Sequence, residues 1–178
     1  MNLTRIAVLA LPLALVACEK PQAGKPAAPA APKAAVVLPT SLFLAAEPKD
    51  AKPVEDAKKG SAAGQPVVIR GRIGGSGEPF VENRAMFTIM GPGLKACSDN
   101  PGDECKTPWD YCCEQSDDIA AHMATVRIAG PDGAPLKTSV KGEHGLKELS
   151  DVIIVGKIAQ AEGSVLVVDA SGIFIAKP

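Results

Sequence analysis

From residue 66 to the C terminus, hydrophobic and polar positions mostly alternate, as they do in half-buried β-strands. In residues 66–73 three apolar side chains share one face, and Arg70 and Arg72 share the other. Further strands are predicted at 86–90, 125–129, 152–159 and 165–170 with 173–175, and residues 136–140 are predicted to extend the third strand or pair with it. No stretch shows a sustained helical period. The pattern predicts a mainly β domain over residues 66–178.

The segment before these strands, residues 36–65, is predicted to be a lead-in with one short helix. Pro53 stands at the first helical position, and Glu55 and Asp56 occupy the first turn. Lysines follow in the last turn, and Gly60 ends the helix, as is typical of helix termini. A short helix is also predicted to start at Asp117 and Asp118, and a single helical turn is predicted at residues 145–149.

Two predicted strands share a motif with a central glycine: Gly71 in residues 69–73 (IRGRI) and Gly156 in residues 154–158 (IVGKI). Glycine weakens a strand unless the strand bends sharply or passes close to another backbone. Small closed barrels require such bends. The order of three strands, a short helix and two strands, with glycines in the first and fourth, resembles the OB-fold. The resemblance implies a five-stranded barrel over residues 66–176, with residues 91–123 inserted between strands two and three.

The first eighteen residues have the organisation of an export signal. Residues 1–5 carry one positive charge, residues 6–16 are apolar, and the run ends in Leu15-Val16-Ala17-Cys18. These residues resemble the bacterial lipobox. The resemblance implies removal of residues 1–17, a diacylglycerol on the Cys18 sulfur and a fatty acid such as palmitate on the new amine. The alternative is an ordinary secretory signal with an accidental cysteine.

Glu19 follows Cys18, so the aspartate that retains lipoproteins in the inner membrane of well-studied bacteria is missing. The expected location is the outer membrane, facing the periplasm. Residues 18–35 are mainly Pro, Ala and Lys, with almost nothing to bury. They are predicted to be a semi-rigid tether that extends about 3.1 Å per residue.

Four cysteines remain after Cys18 is assigned: Cys97, Cys105, Cys112 and Cys113. An even number is typical of a disulfide-bearing domain in an exported protein. A bond between the adjacent Cys112 and Cys113 distorts the peptide between them, so Cys97 and Cys105 are each expected to bond one of the pair. Two arrangements remain open.

Two other interpretations of the cysteines compete. A metal site can use Cys112, Cys113 and His122, although neither cysteine spacing matches the pairs of structural zinc sites. Soft Cu(I) accepts other geometries. A redox-active pair is the third interpretation, but the Cys-x-x-Cys motif is absent from the sequence.

The insertion also holds the chain's only Trp and Tyr, Trp109 and Tyr111, on either side of Asp110. Trp and Tyr are enriched at binding hot spots, so these three residues are predicted to contact a partner, which is expected to be another envelope protein. The alternative is that the rings seal a small satellite core. Residues 105–114 (CKTPWDYCCE) also resemble a group of uncharacterised bacterial lipoproteins with an OB-like domain, which implies no activity.

Other function classes have little support in the sequence. No nucleophile, dinucleotide or phosphate-binding motif occurs, so no enzyme activity and no cofactor other than the covalent lipid are predicted. The net charge of −1 and six aromatic residues do not favour nucleic-acid binding. Arg70, Arg72 and Arg127 are the candidates for contacting an anion or an acidic partner. The prediction is a tethered, non-catalytic binding or assembly module, with metal handling by the cysteine-rich loop as the alternative.

Overall fold

The computed structural model of the chain describes residues 36–176, so the predicted signal peptide, the lipidated Cys18 and the tether lie outside the described residues. The described part is mainly β, with one mixed sheet and few helices. The strands are β1 (Lys52–Pro53), β2 (Pro66–Ile73), β3 (Met86–Met90), β4 (Met123–Arg127), β5 (Asp151–Glu162) and β6 (Val165–Ile175). The α-helices are α1 (Val54–Lys58) and α2 (Ser116–His122), and 3₁₀ turns occur at Thr40–Leu42, Cys97–Asp99 and Glu143–Gly145.

Five of the six strands form a closed ring of pairings. β2 pairs with β3, β3 with β4, β4 with β6, β6 with β5, and β5 again with β2. All of these pairs are antiparallel except β4–β6, which is parallel. The sixth strand, β1, is short and lies parallel to β2. The sequence predicted the five strands of the ring and missed β1.

The alternating positions of these strands build one apolar core. Its members include side chains with no exposed surface from β2, β3, β4, β5 and β6: Ile69, Ile73, Phe87, Ile89, Val126, Ile154, Val168 and Ile173. Leu42 and Val54 from the lead-in segment pack into the same core. The backbone N–H of Leu44 also donates to the carbonyl of Ile173, with 2.8 Å between N and O. The lead-in segment therefore contributes side chains to the core of the β domain.

The predicted boundaries are closest where the alternation is strongest. β2 and β3 have the predicted bounds, whereas the third strand starts and ends two residues earlier than predicted, because α2 leads directly into it. Residues 136–140 do not form a strand. The N–H of Leu136 donates to the Ile128 carbonyl, and the preceding Pro135 forms an isolated bridge with Ala129. The helical turn predicted at residues 145–149 lies at Glu143–Gly145 instead.

The two strand glycines stand where backbones approach closely. A Cβ atom on Gly71 would lie 2.6 Å from the Met90 carbonyl oxygen, and one on Gly156 would lie 2.3 Å from that of Asp169. Gly156 also follows a register shift between β5 and β6. A side chain would therefore collide with backbone at both positions, so close approach, one of the two reasons for a strand glycine given above, applies to both.

Candidate functional site

The cysteine-rich insertion connects β3 to β4, as the sequence predicted. Its base is closed by pairing of Met90 with Met123 and by a hydrogen bond from Gly91 N–H to the His122 carbonyl, 2.8 Å long. The insertion ends in α2, whose first turn carries Asp117 and Asp118 as predicted. Most of the insertion between these ends is irregular, so its order depends on hydrogen bonds and on a few buried side chains.

Two stretches of the insertion lie against each other. The N–H of Cys97 donates to the Asp110 carbonyl at 2.8 Å, and the N–H of Ser98 donates to the Pro108 carbonyl at 2.9 Å. Between them the chain turns at Gly102, whose φ of 78° suits glycine. This arrangement brings residues far apart in sequence to one side of the loop.

Three of the four cysteines converge there. The Sγ atoms of Cys97 and Cys112 lie 3.4 Å apart, and those of Cys105 and Cys112 lie 3.8 Å apart. All three sulfurs lie within 4.8 Å of one another. Cys97 is buried, Cys105 is half-buried and Cys112 is exposed, so the group opens to solvent on one side. Each of the three is a free thiol in the structure, and the disulfide pairing stays a prediction.

The surroundings of two of these thiols favour the protonated form. Burial raises the pKa of Cys97. A hydrogen bond with the Asp103 carboxylate is the largest cause that raises the pKa of Cys105, followed by its contacts with Cys97 and Cys112. Catalytic cysteines have lowered pKa values, so these environments give no support to the redox-active interpretation.

The metal ligands proposed from the sequence are not the ones that the structure brings together. Of Cys112, Cys113 and His122, only Cys112 belongs to the three-sulfur group. The imidazole of His122 lies instead against Gly93, near Glu55, with its Nδ1 2.8 Å from the Asp118 carbonyl oxygen. The structure instead groups Cys97 and Cys105 with Cys112, because the insertion folds back on itself. His122 lies in α2, away from these sulfurs.

Trp109 and Asp110 fix the insertion to the rest of the protein and to itself. The indole Nε1–H of Trp109 donates to the Gly77 carbonyl at 3.0 Å, and its own carbonyl accepts from Gly75 N–H at 3.1 Å. The Asp110 carboxylate accepts from the N–H of Tyr111 at 2.8 Å. Both residues are half-buried, so each has an internal structural role.

Tyr111 is 2% exposed and belongs to a second, smaller apolar cluster with Met90 and Ala96. Partly buried side chains surround this cluster, among them Leu94 and Met123. Burial raises the pKa of the Tyr111 phenol to about 12. Tyr111 therefore has the packing role that was the alternative to a partner contact, and it joins the insertion to β3.

A cleft of about 640 Å³ lies between the insertion and the sheet. Arg72 crosses one wall, where its Nη1 lies 3.0 Å from Asp99 of the insertion and its Nε 3.0 Å from Asp151 of β5. Other lining residues are Arg70, Leu94, Lys95, Tyr111, Val152 and Ile153. Among the described residues, neither Arg70 nor Lys95 forms an ion pair, and the lining also includes the acidic Glu47, which forms none either.

The cleft was not predicted from the sequence, although Arg70 and Arg72 were predicted as candidates for contacting an anion or an acidic partner. Alternation showed that the two arginines share a face of β2 but could not show that residues 94–99 pass above them. Arg127, the third arginine of that group, instead pairs with Asp169, with 3.1 Å between Nη2 and Oδ2. It does not line the cleft.

Comparisons with models of known protein families, with characterised proteins and with solved structures gave no match to this chain. Within residues 36–176, no helix is both long and apolar enough to cross a bilayer.

Proposed function

We propose that the chain is a bacterial envelope lipoprotein that is held on the outer membrane, facing the periplasm, by lipid on Cys18. The support is the sequence of residues 1–18, with its short apolar run ending in a lipobox-like motif. Two or three acyl chains hold a protein on a membrane where a single chain does not, since each buried CH₂ contributes about 0.8 kcal/mol. Residues 18–35 then serve as the tether between the lipid and the β domain.

Substitution Cys18→Ser is expected to abolish acylation and leave the protein unprocessed or released from the membrane, because serine offers no thiol to the diacylglycerol transfer. Labelling with radioactive palmitate and partitioning into detergent check this result. Cys113→Ser is the matched control and is expected to label and partition like the wild type. Unchanged labelling of the Cys18→Ser variant contradicts the anchor.

We propose that the five-stranded ring is a small barrel of the OB type. The support is the order of its strands, which runs β2, β3, β4, β6, β5 and returns to β2, with a single parallel pair between β4 and β6. The glycines at the two close approaches, Gly71 and Gly156, suit a sheet that coils to close. A fold of this kind assigns no function by itself.

We propose that the domain is a non-catalytic binding or assembly module whose partner is another envelope protein. The cleft between the insertion and the sheet carries this proposal. Leu94, Val152 and Ile153 supply apolar surface, and the exposed Arg70 and Lys95 supply two cations without ion-pair partners among the described residues. An apolar segment that ends in an acidic side chain complements this arrangement, since an interface needs both apolar burial and charge complementarity.

The predicted contact residues Trp109, Asp110 and Tyr111 have two different roles in the proposed binding cleft. Tyr111 is part of the cleft lining but is buried, so it supports the surface that a partner contacts. Trp109 and Asp110 hold the insertion in the position that forms one wall of the cleft. Balanced overall charge and scarce aromatic residues favour a protein partner over nucleic acid.

Replacing Lys95 with photoreactive p-benzoylphenylalanine in the native bacterium tests the cleft. Irradiation is expected to give one discrete adduct with an envelope protein, because residue 95 lies at the cleft. Lys157, exposed on β5 and outside the cleft, is the matched control position and is expected to give no such adduct. Absence of an adduct at residue 95, or identical adducts at both positions, overturns the binding-module proposal.

A second candidate function is metal handling by the insertion. The convergence of Cys97, Cys105 and Cys112 favours it, because soft metals bind through closely spaced thiolates. This candidate uses the sulfurs on the open side of the insertion, whereas the binding-module proposal uses the cleft.

A further inference from the structure

We propose that Cys97, Cys105 and Cys112 form a three-thiolate site for one Cu(I) ion. The inference deepens the second candidate function and is independent of the cleft. It replaces the ligand set suggested by the sequence with the set that the fold assembles. Cys113, although adjacent to Cys112, takes no part, because its sulfur is outside the group.

The distances between the sulfurs suit a bound ion. A metal–sulfur bond of about 2.3 Å separates two ligand sulfurs by about 4.0 Å in trigonal geometry and by about 3.8 Å in tetrahedral geometry. In the structure two of the sulfur separations are 3.4 and 3.8 Å, and the third is at most 4.8 Å. A disulfide requires a separation of about 2.05 Å. Changes of less than about 1 Å in these separations therefore give the geometry of a metal site.

Separate contacts hold the backbone on both sides of the sulfur group. Cys97 follows the buried Ala96, whose N–H donates to the Asp99 carboxylate at 3.1 Å, and Asp99 is in turn paired with Arg72. Cys112 follows Tyr111, which is buried in the smaller cluster. Because these anchors do not depend on the sulfurs, two of the three ligands are positioned before an ion binds, which lowers the entropic cost of binding.

The number and softness of the ligands favour Cu(I) over Zn(II). Structural zinc takes four protein ligands in tetrahedral geometry. Within the described residues the group contains three sulfurs and no fourth His, Cys, Asp or Glu ligand. Thiolates are soft ligands that select soft ions such as Cu(I), for which three sulfurs complete a trigonal site. Coordination releases the three thiol protons, and no electron is transferred.

Cu(I) titration of the reduced full-length protein without oxygen, in competition with bicinchoninate, tests the site. One ion per chain is expected, and X-ray absorption is expected to show three sulfurs at about 2.3 Å. Each of Cys97→Ser, Cys105→Ser and Cys112→Ser is expected to weaken Cu(I) binding by at least about 100-fold, since losing a direct ligand costs no less than losing one of its supporting contacts. Thermal melting of each variant separates loss of the site from loss of the fold.

Cys113→Ser and His122→Ala are the matched controls and are expected to bind Cu(I) like the wild type. If either control loses binding as strongly as Cys97→Ser, the assigned ligand set is wrong. Tighter binding of Zn(II) than of Cu(I) overturns the choice of ion. A Cys97–Cys112 disulfide in protein isolated from the envelope without reductant overturns the metal site and supports the predicted disulfides. None of these outcomes alters the crosslinking result at residue 95, so the two proposals fail separately.

Discussion

Gly156→Val and Gly71→Val are expected to lower the melting temperature of the domain by about 10 °C or more. The new Cβ atom would lie 2.3 Å from the Asp169 carbonyl oxygen in the first variant and 2.6 Å from that of Met90 in the second. Backbone cannot move aside as a flexible side chain does, so strands of the ring must separate. Overpacking of this kind costs about 3 kcal/mol or more, and each kcal/mol lowers the melting temperature of a domain this size by several degrees.

Gly77→Val is the matched control, because no heavy atom lies within 4 Å of a Cβ built on Gly77 and its φ lies outside the left-handed region. Its melting temperature is expected to stay within about a few degrees of wild type, because the added side chain meets no residue beyond its chain neighbours and the carbonyl that accepts from Trp109 is kept. Circular dichroism followed against temperature compares the three variants. Equal melting of all three contradicts the close-approach explanation of the strand glycines.

Tyr111→Ala is expected to destabilise the domain by about 3–5 kcal/mol, the usual cost of removing a large buried aromatic ring. The ring is 2% exposed and packs with Met90 and Ala96, so its loss leaves a cavity where the insertion meets β3. The insertion is expected to loosen first, because few other apolar contacts hold it. The rate at which the buried Cys97 thiol of the reduced protein reacts with an aromatic disulfide reagent is therefore expected to rise.

Tyr111→Phe is the control for the ring itself, since it removes only the hydroxyl group. We expect it to stay within about 1 kcal/mol of wild type, the usual contribution of one hydrogen-bonding group. Urea denaturation measures both free energies of unfolding, and thiol labelling reports on the insertion. If Tyr111→Ala unfolds at the wild-type urea concentration, the smaller cluster does not stabilise the protein, and Tyr111 is free to act as a contact residue.

The fold was largely predictable because its strands are local patterns. Alternation located β2 and β3, and an apolar run located β5, since period-two burial is visible in any strand with one buried face. β1 escaped prediction because two residues are too short for a pattern. The position of the insertion was also predictable, since the turn composition and cysteines interrupt the alternation between residues 90 and 123.

The site was less predictable, because it depends on contacts between residues of an irregular segment that are far apart in sequence. The sequence identified the cysteines but could not show that Cys97 and Cys105 both reach Cys112, since that depends on hydrogen bonds such as Cys97 N–H to the Asp110 carbonyl. The packing role of Tyr111 and the cleft beside Arg72 follow from the same arrangement. Spacing alone carries no information about contacts of this kind.

Because the base of the insertion is closed by β3 and β4 themselves, the length of this segment is nearly independent of the register of the strands. Lengthening a four-residue turn to the present connection adds only about 2 kcal/mol of closure entropy, since each doubling of length costs about 0.6 kcal/mol. Mutation and selection can thus lengthen, shorten or replace residues 91–122 while the strands keep their partners. In this architecture the insertion and the pairing of the strands can change independently of each other.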